Sequence, residues 1–229
     1  LKEKLEELGI TEVDGILFDL GVSSPQLDEQ ERGFSYHQDA KLDMRMDRDN
    51  NFSAYDVVNT YDEKELSRIL FQFGEEKYAN SIARNIVKAR NIKPIATTFE
   101  LVDIIKNSMP EKAKRDKHPA RKTFQAIRIE VNHELDILEK SMRDAASMLK
   151  VGGLLSVITF HSLEDRIVKN VFKDLTEVNP VVKGMPNIPL EYLPDYELVN
   201  HKAITPSDTE LEENNRSRSS KLRVIKRIK

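Results

Sequence analysis

The sequence contains no cysteine. That excludes disulfides, zinc–thiolate sites and a thiol nucleophile, and it suits a cytoplasmic protein. No apolar run approaches the roughly 20 residues needed to span a bilayer, and the start carries no signal-type segment. The expectation is a soluble, cytoplasmic chain with no membrane partner. The histidines (His37, His118, His133, His161, His201) never fall at ligand spacing with one another, so no metal is expected. There is no G-x-G-x-x-G, which counts against a nucleotide-binding oxidoreductase, and no internal repeat. Charge of one sign is also missing: 36 Lys and Arg against 39 Asp and Glu leave a net charge of −3. Any nucleic-acid contact must therefore rest on local charge. What remains is ample for a core, since 39% of the 229 residues are hydrophobic, enough for one large or two small domains.

The run Ile16-Leu17-Phe18-Asp19-Leu20-Gly21 is too continuous for a half-exposed strand and too short for a helix, so it predicts a parallel strand covered on both faces. Asp19 then falls at the carboxyl end of that strand, the rim where open α/β sheets bind ligands. The alternative is an ordinary strand–turn–helix junction in which Asp19 only ties down loop amides. Ser24-Pro25 reads as a helix cap with proline in the first turn. A second apolar strand, Leu154 to Phe160, follows a helix with Leu135, Leu138, Met142, Ala145 and Leu149 on one face, and it ends in His161-Ser162-Leu163-Glu164-Asp165. Ser162 and Asp165 stand at capping-box spacing. If the two strands are neighbours, His161 shares the crevice with Asp19; otherwise it hydrogen-bonds the rim.

Between these strands, residues 28–51 form a charged loop with Phe34, Tyr36, Met44 and Met46, read as a ligand-facing surface. From Ser53 to Met109 the period is helical, with a stripe at Leu66, Ile69, Leu70 and Phe73 and a third helix capped at Thr98 and stopped by Pro110. A helical block flanked by strands predicts an insertion in an α/β domain: residues 1–27 the first part, 28–111 the inserted substrate-recognition subdomain, 112–229 the second part. Lys112, Lys114, Arg115, Lys117, Arg121 and Lys122 crowd one stretch, as a solvated linker or an RNA contact. Five prolines between Pro180 and Pro206 predict a long irregular connection. Leu222, Val224, Ile225 and Ile228 predict a last strand, preceded by the paired Arg216 and Arg218, which suit phosphate. The opening at Leu1, within a helical pattern closed by Gly9, reads as a piece of a longer chain.

Phe18-Asp19-Leu20-Gly21-Val22-Ser23-Ser24-Pro25-Gln26-Leu27-Asp28, Arg32-Gly33-Phe34-Ser35-Tyr36, Leu42-Asp43-Met44-Arg45-Met46-Asp47, Thr159 to Arg166, and Glu213 to Ser219 together closely resemble the RsmH (MraW) family. The resemblance runs the length of the chain. It implies an S-adenosylmethionine-dependent methyltransferase acting on the N4 amine of a cytidine in the decoding region of small-subunit (16S) ribosomal RNA, with that RNA or the small ribosomal subunit as partner. The implied fold is a class I, Rossmann-like sheet with an inserted all-helical subdomain. The family's glycine-rich cofactor turn and first strands are not among these residues, so the alternative for this chain alone is a non-catalytic RNA-binding module. Asp19 and Gln26 match cofactor-contacting positions, and Asp19 is also the candidate proton acceptor. Ser23, Ser24, Phe34, Tyr36, Arg45, His161, Arg216 and Arg218 are candidates for RNA contact. An apolar edge at Ile16–Phe18, bare without further strands, predicts self-association.

Overall fold

A computed structural model describes residues 1–114, 118–178, 180–182 and 184–229. Arg115 and Lys117 of the basic stretch lie outside the described residues. In chain order the elements are α1 (Lys2–Glu7), β1 (Val13–Asp19), α2 (Ser24–Asp28), α3 (Ala54–Thr60), α4 (Glu63–Gly74), α5 (Ala79–Arg90), α6 (Thr98–Asn107) and α7 (Arg121–Asn132). Then follow α8 (Leu138–Ser147), β2 (Leu149–Thr159), α9 (Ser162–Thr176), β3 (Tyr196–Leu198), α10 (Asp208–Glu213) and β4 (Lys221–Arg227). Among the described residues no helix is long and apolar enough to cross a membrane. The chain divides into two compact units, Leu1–Gly21 with Leu135–Lys229, and Val22–Glu134.

The first unit is an α/β layer. Its sheet has the order β1-β2-β4-β3, with β1 parallel to β2 and the other two pairings antiparallel. Leu155 and Val157 of β2 and Ile225 of β4 are buried with Met142 and Ala145 of α8 and Val168, Val171 and Phe172 of α9, so both helices cover one face. The expected burial of the first strand on both faces does not hold: Leu17 is 63% exposed, and β1 is an edge strand among the described residues. A continuous apolar run is compatible with any pattern of covered faces, and only the neighbours decide which. Strand β3 lies within the stretch expected to be irregular. Its three residues pair with β4 at Tyr196↔Arg227, Glu197↔Lys226 and Leu198↔Ile225.

The second unit is helical. Leu66, Ile69 and Leu70 of α4 share a core with Ile82, Ala83 and Ile86 of α5, Leu101 and Ile105 of α6, and Phe124, Ile127 and Val131 of α7. Because α7 packs here, the unit runs to Glu134, beyond the boundary at 111 that the sequence predicts. Helix α6 begins one residue earlier than expected: Thr97 caps it, accepting from the Glu100 N–H. The buried Thr98 hydroxyl instead donates to the Gln38 carbonyl and accepts from the Ala40 N–H.

The loop 29–53 is held by its own arginines. The Arg32 guanidinium donates to the carbonyls of Arg45 (2.8 Å) and Met46 (3.1 Å). The Asn132 amide clasps the same segment, donating to Met44 O and accepting from Met46 N. Gly33 sits at φ +68°, where a Cβ would meet Asp43 N at 3.0 Å and the Lys41 carbonyl closer still. Only glycine fits both that backbone and that space.

Candidate functional site

Register places two strand ends side by side in the α/β unit. Asp19 pairs with Ile158 across the parallel ladder, and the Leu20 N–H donates to the Ile158 carbonyl at 3.1 Å. The segments Leu20–Gly21 and Phe160–His161 therefore leave the same rim. Gly21 turns the chain at φ +89°, and a Cβ there would stand 3.7 Å from the Phe160 ring, so the backbone angle rather than the space calls for glycine. The Asp19 side chain is exposed at this rim, and among the described residues it has no hydrogen bond or ion pair within the chain. A carboxylate held open at a strand's carboxyl end offers several acceptor sites to a ligand's hydroxyl or amine hydrogens.

Across the rim, His161 is the cap of α9. Its Nδ1 accepts from the Glu164 N–H at 3.4 Å. Glu164 is buried, and its carboxylate accepts from the N–H groups of Phe160 (2.8 Å) and His161 (3.2 Å), while its other oxygen lies 3.2 Å from His161 Nε2. The capping box thus sits one residue before the Ser162/Asp165 pair that spacing suggests, and Glu164 is the organising carboxylate that sequence reasoning missed. The signal was present as His-x-x-Glu, hidden because histidine is an unusual cap.

Asp165 does different work. It accepts from Arg223 Nε (2.8 Å) and Lys221 Nζ (2.9 Å), tying the first turn of α9 to β4. Burial pushes its carboxyl upward, but the hydrogen bonds and charges of Arg223 and Lys221 outweigh this and hold it below the usual carboxylate value. Immediately before β4, a 3₁₀ turn over Asn215–Ser219 presents Arg216 and Arg218 at the surface. Asn214 braces it, its side chain accepting from the Arg216 N–H and its carbonyl from the buried Ser217 hydroxyl.

The remaining sequence candidates belong to the helical unit. Ser23 caps α2 one residue ahead of the expected Ser24, and its N–H donates to Gln26 Oε1 at 2.9 Å, so one end of the Gln26 amide is spent on the cap. Ser23 and Ser24 are exposed. Phe34 is 6% exposed and belongs to the core, with Arg32 over its ring at 5.7 Å. Tyr36 is stacked on His118 at 4.4 Å, with Phe124 edge-on at 5.6 Å. Burial and the neighbouring charges of His37 and Lys106 hold the His118 imidazole below its usual value. Arg45 points inward: Nε and Nη2 grip Asp43 at 2.7 and 2.9 Å, and Nη1 reaches the Asn50 carbonyl at 2.6 Å. The structure therefore brings Asp19 and His161 to one rim and Arg216 and Arg218 to one turn, while Phe34 and Arg45 are engaged inside the loop.

Comparison with known proteins gives these positions a context. The sequence profile of the MraW methylase family matches residues 1–228. The chain is 57% identical over 229 residues to the ribosomal RNA small subunit methyltransferase H of two strains of Lactobacillus delbrueckii subsp. bulgaricus, covering 100% of this chain and 73% of each relative. It is 56% identical over 230 residues to the protein of the same name from Exiguobacterium sibiricum, covering 100% of this chain and 74% of that relative. A match of this extent, with relatives of this identity along the whole chain, makes the chain a member of the MraW methylase family and a methyltransferase.

Proposed function

We propose that this chain takes part in methyl transfer from S-adenosylmethionine to the N4 amine of a cytidine in small-subunit ribosomal RNA. The observation that carries the reading is the open Asp19 carboxylate at the carboxyl end of β1, beside the end of β2, in a chain of this family. When bound, the cofactor supplies a methyl group already activated on sulfonium. Its amine and ribose hydroxyls are donors of the kind a free carboxylate accepts, so Asp19 fits such a ligand; Gln26, the other cofactor position that the resemblance implies, keeps the part of its amide that the cap does not use.

The protein's work is then alignment. Holding acceptor and donor in line supplies about 7–11 kcal/mol of a bimolecular barrier. Cytosine N4 shares its lone pair with the ring. An acceptor placed against its hydrogens localises that pair: the Leu20 carbonyl can accept a hydrogen bond there, and the Asp19 carboxylate can also take the proton, worth about 10²–10⁴-fold. The target base must leave its stack, which suits single-stranded or splayed RNA. Arg216 and Arg218 hold its phosphates, with Ser23 and Ser24 as further polar contacts. His161 acts as a positioning residue through the Glu164-braced turn. Phe34, Tyr36 and Arg45 serve recognition by fixing the shape of the loop in the inserted, substrate-recognising helical part.

The test is incubation with labelled S-adenosylmethionine and small-subunit RNA, followed by nucleoside analysis, with Asp19→Asn alongside. Label on cytidine N4 that falls at least about tenfold in the variant supports the reading. Unchanged cofactor affinity and turnover in Asp19→Asn removes both roles from that residue. RNA retention without any methyl transfer favours the non-catalytic binding module.

A further inference from the structure

A cavity lies in the α/β unit, between the later turns of α9 and the outer strands β3 and β4, with a volume of about 750 Å³. That is the size of a small-molecule or nucleotide site. Its apolar lining comes from Phe172, Tyr196, Leu198 and Ile228. The Tyr196 ring is fixed, because its hydroxyl donates to the Ala146 carbonyl at 2.9 Å. Lys169 and Lys173, one helical turn apart, stand on the α9 side of the opening. Lys173 lies 3.9 Å from Glu177, whereas Lys169 has no ion-pair partner among the described residues. Arg223 in the lining is already neutralised by Asp165. Glu177 is the carboxylate at the opening, beside Lys173, whereas Glu197 of β3 stands opposite Lys226 on the sheet face away from Tyr196 and Leu198.

This charge pattern selects its ligand. One unpaired lysine with a carboxylate nearby suits a single negative charge and disfavours a free nucleotide carrying two or more. A fixed aromatic ring in an apolar floor suits a flat base. The unit that joins one flat base to one negative charge is an internal nucleotide of a single RNA strand. Strand β4 leads from the Arg216–Arg218 turn toward the cavity, since Arg223, its third residue, lines the cavity five residues after Arg218. We infer that this cavity is an accessory RNA subsite, taking one unstacked nucleotide adjacent to the segment held by Arg216 and Arg218, with Lys169 on its phosphate and Tyr196 under its base. The inference rests on the RNA reading above and extends it to a site that the methyl-transfer chemistry does not need.

The experiment uses the 229-residue chain and a single-stranded oligoribonucleotide carrying 4-thiouridine. Binding is followed by fluorescence anisotropy over a series of salt concentrations, and irradiated complexes are mapped by peptide mass spectrometry. The expected result is a cross-link in the β3 peptide containing Tyr196, and a Lys169→Gln variant whose slope of log K against log salt is shallower by about 0.7, the contribution of one phosphate on a single strand. An unchanged thermal melt by circular dichroism shows that Lys169→Gln is folded, as expected for an exposed helix position. If binding depends on Arg218 but Lys169→Gln leaves the slope unchanged and no cross-link reaches β3, the subsite is overturned and the RNA reading stands. If no variant or parent binds RNA, both fall. Tighter binding of adenosine monophosphate than of the oligonucleotide would overturn the inference by making the cavity a small-nucleotide site.

Discussion

Replacing Arg45 with alanine separates a structural arginine from an RNA-binding one. The guanidinium grips both oxygens of Asp43 and reaches the carbonyls of Arg48 and Asn50, and the Arg45 and Asp43 side chains are each 25% exposed. Hydrogen bonds to charged groups contribute roughly 1.5–3 kcal/mol each when well formed, and partial exposure discounts them. Removal also leaves the Asp43 carboxylate half-buried without its partner. The expected loss is about 2–3 kcal/mol, read as a lower urea midpoint with unchanged slope in far-ultraviolet circular dichroism. Arg45→Lys keeps the charge but not the planar fork, and is expected to lose more than half as much. Burial pushes the Asp43 carboxyl up, but hydrogen bonds from Arg45 and the charges of Arg45 and Arg32 outweigh it, so its native value lies below the ordinary one. A group lowered in the folded state stabilises above its unfolded value and loses that contribution as pH falls through the native one. Arg45→Ala should therefore flatten the acid side of the stability profile. A loss below about 0.5 kcal/mol, the range of an exposed pair, would refute the reasoning. So would a fall in RNA affinity at unchanged stability.

Gly33→Ala forces a side chain into a left-handed backbone and against Asp43 N, and should destabilise the helical unit by at least about 2 kcal/mol in the same urea assay; a cost under about 1 kcal/mol would show that the loop gives way. Asp165→Asn leaves Arg223 without its carboxylate in a site where the Asp165 side chain is 14% exposed, with an expected loss of about 1–3 kcal/mol. Because the Asp165 carboxyl is held low, that difference should shrink as pH falls below about 4, and a pH-independent difference would count against the ion pair as its cause. The outer edge of β1, with Leu17 exposed, predicts concentration-dependent self-association in sedimentation that Leu17→Lys reduces; a monodisperse parent at high concentration would contradict it.

Strands β1, β2 and β4 were legible because each is an apolar run ending in turn or charged residues. The sharing of a rim by Asp19 and His161 followed once two such runs were taken as parallel neighbours. Strand β3 was not legible, since three residues among prolines carry no period. Helix α7 was hidden for another reason: its buried face, Phe124, Ile127 and Val131, follows directly on basic residues that read as a linker. The inward role of Arg45 depends on backbone carbonyls at Arg48 and Asn50, and no residue type marks where a carbonyl will point. The caps at Ser23, Thr97 and His161 each sit one residue ahead of their expected place. Adjacent polar residues compete for a cap, and the choice is made by the turn that precedes them.

The pairing of β1 with β2 also sets a timetable for the chain's birth. Phe18 waits for Val157, 157 − 18 = 139 residues downstream. At roughly 5–20 residues per second, that partner follows about 7–28 s later. The helical stretch between them has its own core and can close first, as a finished insert. Joining the strand ends across a floppy loop of that length would cost roughly 4 kcal/mol of chain entropy, and an insert already folded removes most of that loop. A lesion that slows the helices therefore delays the sheet as well, and leaves β1 as an unpaired apolar segment on the nascent chain for longer.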